Sequence, residues 1–194
     1  MKIVFGGAFN PVTNAHIEVY KYVMSKTNAS EFLFLPVSSA YTKNELASNI
    51  HRKNMLEIAI DKYKNISICE IEIEDSNYLG TYQSLIRLSD KFNTEIAFVV
   101  GADNLLNMHK WINVHGILSE FKIIVLGRNG ININKLIKED IVLNKHINSF
   151  IIYEDFELNI SSTNFRETFN KELLNNKVYD YIMKNKLYRG DLDV

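Results

Sequence analysis

Short runs of β-branched and aromatic residues alternate with helical periodicity along the whole chain, and this alternation is the strongest constraint on its fold. Lys2-Ile3-Val4-Phe5 stops at Gly6-Gly7, and Phe32-Leu33-Phe34-Leu35 closes at Pro36. Ile96-Ala97-Phe98-Val99-Val100 ends at Gly101, Ile123-Ile124-Val125-Leu126 at Gly127, and Phe150-Ile151-Ile152-Tyr153 is shorter. Between these runs, residues 14–26, 52–63 and 81–92 carry apolar side chains at helical spacing. The stretch 66–73 alternates strictly between apolar and polar residues, which predicts a strand with one wet face at a sheet edge. A last strand-to-helix turn is expected near Ile160. The order predicts a three-layer, Rossmann-like α/β sandwich with a mainly parallel sheet. Right-handed crossovers then put ligand-binding loops outside the carboxyl ends of the strands. Residues 129–148, rich in Asn and Lys, show no informative chemistry. With no internal repeat and no Pro/Gly/Ser-rich linker, a single domain over residues 1–194 is expected.

Composition narrows the function classes. Apolar residues make up 46% and charged residues 23%, so the chain can bury a core and is not a disordered tail. Twenty-two basic residues against 23 acidic ones leave a net charge of −1, which argues against a protein that coats nucleic acid. A small anion held by a few local cations remains compatible. The one cysteine, Cys69, cannot form an internal disulfide, which suits a reducing cytoplasm. The opening apolar run is too short for a signal peptide, and no stretch approaches the ~18 apolar residues of a membrane span. A cytoplasmic protein without a membrane partner is the expectation.

Three segments carry candidate chemistry, and all follow strands. Gly6 and Gly7 end the first strand and let the backbone approach a ligand, and Ala8 and Phe9 continue the turn. The helix that follows offers unpaired N–H groups and a positive dipole end, both suited to phosphate. Thr13 and His16 lie three apart on its first turn, so a hydroxyl and an imidazole share one face beside that site. The plainer alternative makes Thr13 a helix cap and His16 a half-buried helical residue. Ser161, Ser162 and Thr163 put three hydroxyls at a second helix start, and Arg166 adds a guanidinium fork suited to phosphate. A plain cap with a surface arginine is the competing account. Asp103, just past Gly101, is placed to accept from ribose hydroxyls, and Trp111 to stack on a ring. Helix capping and core filling are the alternatives for these two. Arg128 ends a strand within reach of a nucleotide, while Lys43, Arg52 and Lys53 read as solvated cations. The histidines lack metal-ligand spacing, so no protein metal site is expected.

Taken together, these segments resemble the nicotinate/nicotinamide mononucleotide adenylyltransferase family. Gly6-Gly7-Ala8-Phe9-Asn10-Pro11 with Thr13-x-x-His16 resembles its first signature, and Ile160-Ser161-Ser162-Thr163-x-Phe165-Arg166 its second. The segment 51–59, Thr81-Tyr82-Gln83-Ser84-Leu85, Gly101-Ala102-Asp103-x-Leu105, Trp111 and the closing 181–188 fall in the family's order. Two positions depart: most bacterial members carry His where Thr13 stands and Gly where Ala15 stands. The resemblance implies adenylyl transfer from ATP to nicotinate mononucleotide, with Mg²⁺ accompanying ATP. It implies His16, Thr13 and Arg166 as catalytic residues. ATP would meet Gly6, Gly7, Ala8, Phe9, Arg128, Ser161, Ser162 and Thr163. The mononucleotide would meet Lys43, Thr81, Tyr82, Asp103 and Trp111. Nicotinamide mononucleotide as acceptor, another adenylyl- or cytidylyltransferase, and a catalytically silent nucleotide sensor are the alternatives.

Overall fold

A computed structural model describes residues 1–39, 46–75, 79–128, 130–156 and 161–188. The strands are β1 (Lys2–Gly7), β2 (Glu31–Pro36), β3 (Ile66–Ile68), β4 (Ile96–Gly101), β5 (Lys122–Leu126) and β6 (Phe150–Tyr153). The helices are α1 (Asn14–Lys26), α2 (Asn49–Ile60), α3 (Thr81–Phe92), α4 (Ala102–Met108) and α5 (Val114–Glu120). They continue with α6 (Ile133–Glu139), α7 (Ile141–Lys145), α8 (Ser162–Thr168) and α9 (Asn176–Lys184). All paired strands are parallel, in the order β3-β2-β1-β4-β5-β6. The chain winds outward from β1 to β3, then returns to β1's other side with β4. The strand order therefore reverses between β1 and β4, where an α/β sheet opens a crevice for ligands.

Successive strand residues face opposite layers, so each strand contributes to two cores. Val4, Leu33, Phe98, Ile123 and Val125 pack with Leu85 and Leu88 of α3 and Ile117 of α5. Ile3, Phe32, Phe34, Val99 and Ile124 pack on the other face with Val23 of α1, Met55 and Leu56 of α2, Phe165 of α8 and Ile182 of α9. Burial on both faces explains why β2, β4 and β5 read as unbroken apolar runs. Among the described residues, no helix is long and apolar enough to cross a membrane.

Two sequence expectations change. The strand expected over residues 66–73 ends at Ile68, and the chain then turns, with Glu74 N–H donating to the Glu70 carbonyl (3.0 Å). An edge strand has one neighbour and few ladder bonds to hold it, so a turn that buries Cys69 and Glu72 displaces it. The uninformative stretch holds α6 and α7, capped by Asn132, which accepts from Lys135 N–H, and by Asp140, which accepts from Val142 and Leu143 N–H. Those two cap residues were the available signal. Ile160 lies outside the described residues; Ser161 caps α8 by accepting from Asn164 N–H.

Candidate active site

Side chains of α2 and α8 anchor the turn after β1. Phe9 has a positive φ of 46°, which folds its ring back over Gly7, where a Cβ would stand 3.1 Å from the ring. Three carbonyls of this turn accept from side chains. Arg52 Nη1 donates to Ala8 O (2.7 Å), Arg166 Nη1 to Asn10 O (2.6 Å) and Ser162 Oγ to Pro11 O (2.8 Å). Asn10, itself buried, accepts from Ala47 N–H through Oδ1 (3.0 Å). Arg166 completes its fork with Thr163 Oγ1 at 3.2 Å. The two signatures, some 150 residues apart, are thus one structure: the second is bonded to the backbone of the first.

Thr13 is the N-cap of α1 and is 2% exposed, so it does not open into the cleft. Its backbone N–H donates to His16 Nδ1 (2.9 Å), and its hydroxyl lies 2.9 Å from the same nitrogen. A ring that accepts at Nδ1 carries its proton at Nε2 when neutral. Burial, then the Arg128 charge, lowers the His16 pKa from 6.5 to about 4. At neutral pH the ring is therefore an uncharged N–H donor with a fixed orientation. Phe9 steadies it edge-on, with ring centroids 5.1 Å apart.

A cleft of about 370 Å³ opens at the β1/β4 reversal. Gly6, Gly7, Phe9, His16, Arg128, Ser161, Ser162 and Thr163 line it, over an apolar floor that includes Val99, Leu126 and Phe156. A larger cavity, about 1020 Å³, lies at the opposite ends of the strands around Glu95, Lys122 and Asn148 and holds none of the candidate residues. On the rim, Asp103 Oδ2 lies 3.9 Å from Arg128 Nη1, a partly exposed pair worth little to stability. Asp103 Oδ1 is buried with no hydrogen-bond partner among the described residues.

The remaining candidates are not gathered into this cleft. Thr81 and Tyr82 begin α3, and Tyr82 donates to Glu120 (2.7 Å). Trp111 packs edge-on against Phe98, with centroids 6.2 Å apart, at the border of the core beneath α3 to α5. Lys43 lies outside the described residues. Sequence reasoning missed Arg52: read as a solvated cation, it is fully buried. No local pattern marks an arginine whose partners are three carbonyls from two loops. Among the described residues, no three His, Cys, Asp or Glu side chains gather as a metal site.

A glycine-bearing turn, a neutral imidazole donor and a wall of hydroxyls and an arginine thus meet at the sheet's reversal point, an arrangement whose chemistry suits phosphate groups. Residues 4–168 match the model of the cytidylyltransferase-like family, and the chain belongs to that family. Among curated relatives, a "Probable nicotinate-nucleotide adenylyltransferase" of Clostridium acetobutylicum is 33% identical over 196 residues, covering 96% of this chain and 98% of its own. A protein of the same name from Clostridium beijerinckii is 31% identical, covering 96% of this chain and 98% of its own. The fold matches a Plasmodium falciparum nicotinic acid mononucleotide adenylyltransferase complexed with NaAD, with a TM-score of 0.76, 21% identity and 96% of each chain covered.

Proposed function

We propose that the chain transfers AMP from ATP to nicotinate mononucleotide, forming nicotinate adenine dinucleotide and pyrophosphate. The observation that carries this reading is the neutral, oriented His16 beside a clamped turn in a cleft walled by Arg128 and the 161–163 hydroxyls. The full-length relatives point to nicotinate as the base. In the reaction, an oxygen of the acceptor's 5′-phosphate bonds to the α-phosphorus of ATP as the bond to the pyrophosphate oxygen breaks in line. Such a transfer needs positioning and charge neutralisation, not a covalent nucleophile.

His16 supplies an Nε2–H to the phosphate oxygens on which charge builds, and Thr13 fixes the ring that does so. Gly6, Gly7 and Phe9, with Ala8 between them, hold the backbone against ATP; Ser161, Ser162 and Thr163 line the cleft where the β- and γ-phosphates depart, and Arg166, bonded to Thr163 Oγ1, adds positive charge beside them. Arg128 adds positive charge at the rim, and Asp103 beside it is assigned to accept from a ribose hydroxyl. Lys43, Thr81, Tyr82 and Trp111 are assigned to the mononucleotide side. The first turn of α3 has no acidic residue, so its dipole favours the nicotinate carboxylate over a neutral amide. The cleft's donors are cationic and hydroxylic, which suits phosphate oxygens; a divalent cation such as Mg²⁺ would be held by ATP's own oxygens and water. There it would offset negative charge.

Side-by-side assays with the two mononucleotides and ATP test the reading. A pocket built for an acceptor-only carboxylate leaves polar groups unpaired against the amide, so kcat/KM for nicotinate mononucleotide is expected about ten- to a hundredfold higher. Equal values, or a higher one for the amide, overturn the choice of base. Absence of pyrophosphate release with both overturns the reaction.

A further inference from the structure

Arg52 carries a full charge in the interior, and no described carboxylate pairs with it. Its residue is 0% exposed, and burial pulls its pKa down from the ordinary arginine value. Buried charges are usually paired, because desolvation is costly. Here the guanidinium is instead spent on oxygens from three segments. Nη1 donates to Ala8 O (2.7 Å) in the turn after β1; Nη2 donates to Val37 O (2.6 Å), just past β2, and to Asn49 Oδ1 (2.5 Å); Nε donates to Ala47 O (3.1 Å). The titratable group that faces it is the Tyr188 phenol, which burial keeps neutral and whose hydroxyl is buried without a partner among the described residues; Arg166 acts on the same phenol.

We infer that Arg52 is a positioning residue for the proposed reaction: it sets the orientation of the phosphate-binding turn from behind and leaves its positive charge for the substrate phosphates to neutralise. A trans peptide holds C=O and the following N–H antiparallel, so pinning the Ala8 carbonyl aims the Phe9 N–H away from Arg52. The same side chain ties this turn to the chain after β2, so the two loops keep one relative position. A lysine retains the charge but is a single point, unable to span carbonyls that a planar fork reaches at once. The inference rests on the reading that the cleft takes nucleotide phosphates.

The test is Arg52→Lys, with inorganic pyrophosphate as the probe and Leu88→Ala as the control. Leu88 is equally buried but lies in the core beneath α3, away from the cleft, so it reports loss of stability alone. Calorimetric Kd for pyrophosphate is expected to rise about tenfold in Arg52→Lys, with a comparable fall in kcat, whereas Leu88→Ala lowers Tm and leaves Kd unchanged. Wild-type affinity and kcat in folded Arg52→Lys overturn the inference, as does a Kd loss of equal size in Leu88→Ala. Should Arg52→Lys not fold, Asn49→Ala removes one of the four acceptors and leaves Arg52 in place. A several-fold weaker pyrophosphate Kd is then expected, and an unchanged one overturns the inference. Failure of the wild type to bind pyrophosphate would sink the nucleotide-phosphate reading itself, a separate outcome.

Discussion

At the residue scale, His16 shows how one backbone hydrogen bond sets a chemical role. The Thr13 N–H on Nδ1 leaves the neutral ring able to donate only from Nε2, and its pKa of about 4 keeps it neutral at pH 7. A neutral donor stabilises growing charge without first being protonated. His16→Ala is therefore expected to lower kcat by roughly 10²–10³ while changing each KM much less, as when one preorganised donor is lost. Steady-state kinetics on the folded variant decide it, and an unchanged kcat removes His16 from the mechanism. Thr13 corrects a simpler idea. Both its expected partnership with His16 and its alternative as a cap hold together, because the cap residue is what orients the ring.

At the scale of elements, close approaches shape the cleft. Gly127, at the end of β5, passes so near the chain after β6 that a Cβ there would stand 2.6 Å from Glu154 O and 2.8 Å from Phe156 O. Backbone carbonyls cannot swing aside as a long side chain can. Gly127→Ala is expected to cost about 1–3 kcal/mol by forcing this segment outward, read as a lower urea midpoint. Since Phe156 and Gly127 both line the cleft, KM for ATP should rise as well. A midpoint within error of wild type would mean that the segment yields freely. Elements also show what local pattern conceals. The alternation over 66–73 describes a strand, yet tertiary packing favours burying Glu72, whose Oε1 accepts from Ser84 Oγ at 2.6 Å.

At the scale of the whole molecule, protonation of His16 is linked to unfolding. The folded ring has a pKa of about 4 and the exposed ring one near 6.5, so between these values the unfolded chain binds more protons. Stability from this group is complete above pH 6.5 and declines as the pH falls toward 4. Tm is expected to drop between pH 7 and pH 5, and the drop should shrink in His16→Gln. An identical pH dependence in that variant would show that His16 titrates as freely in the folded protein as in the unfolded one.

The sequence by itself determined the layered α/β class, five of the six strands nearly to their ends, and the two loops that meet at the cleft. These follow from the period of apolar residues and from glycine and hydroxyl punctuation, which act over a few neighbouring residues. Only the tertiary structure decided the strand order that opens the cleft between β1 and β4, and the joining of Arg166 and Ser162 to a turn 150 residues earlier. It alone turned Arg52 from a surface cation into a buried clamp. Those outcomes depend on which distant carbonyls meet which donors. That is fixed by the packing of three layers at once, and no local pattern encodes it.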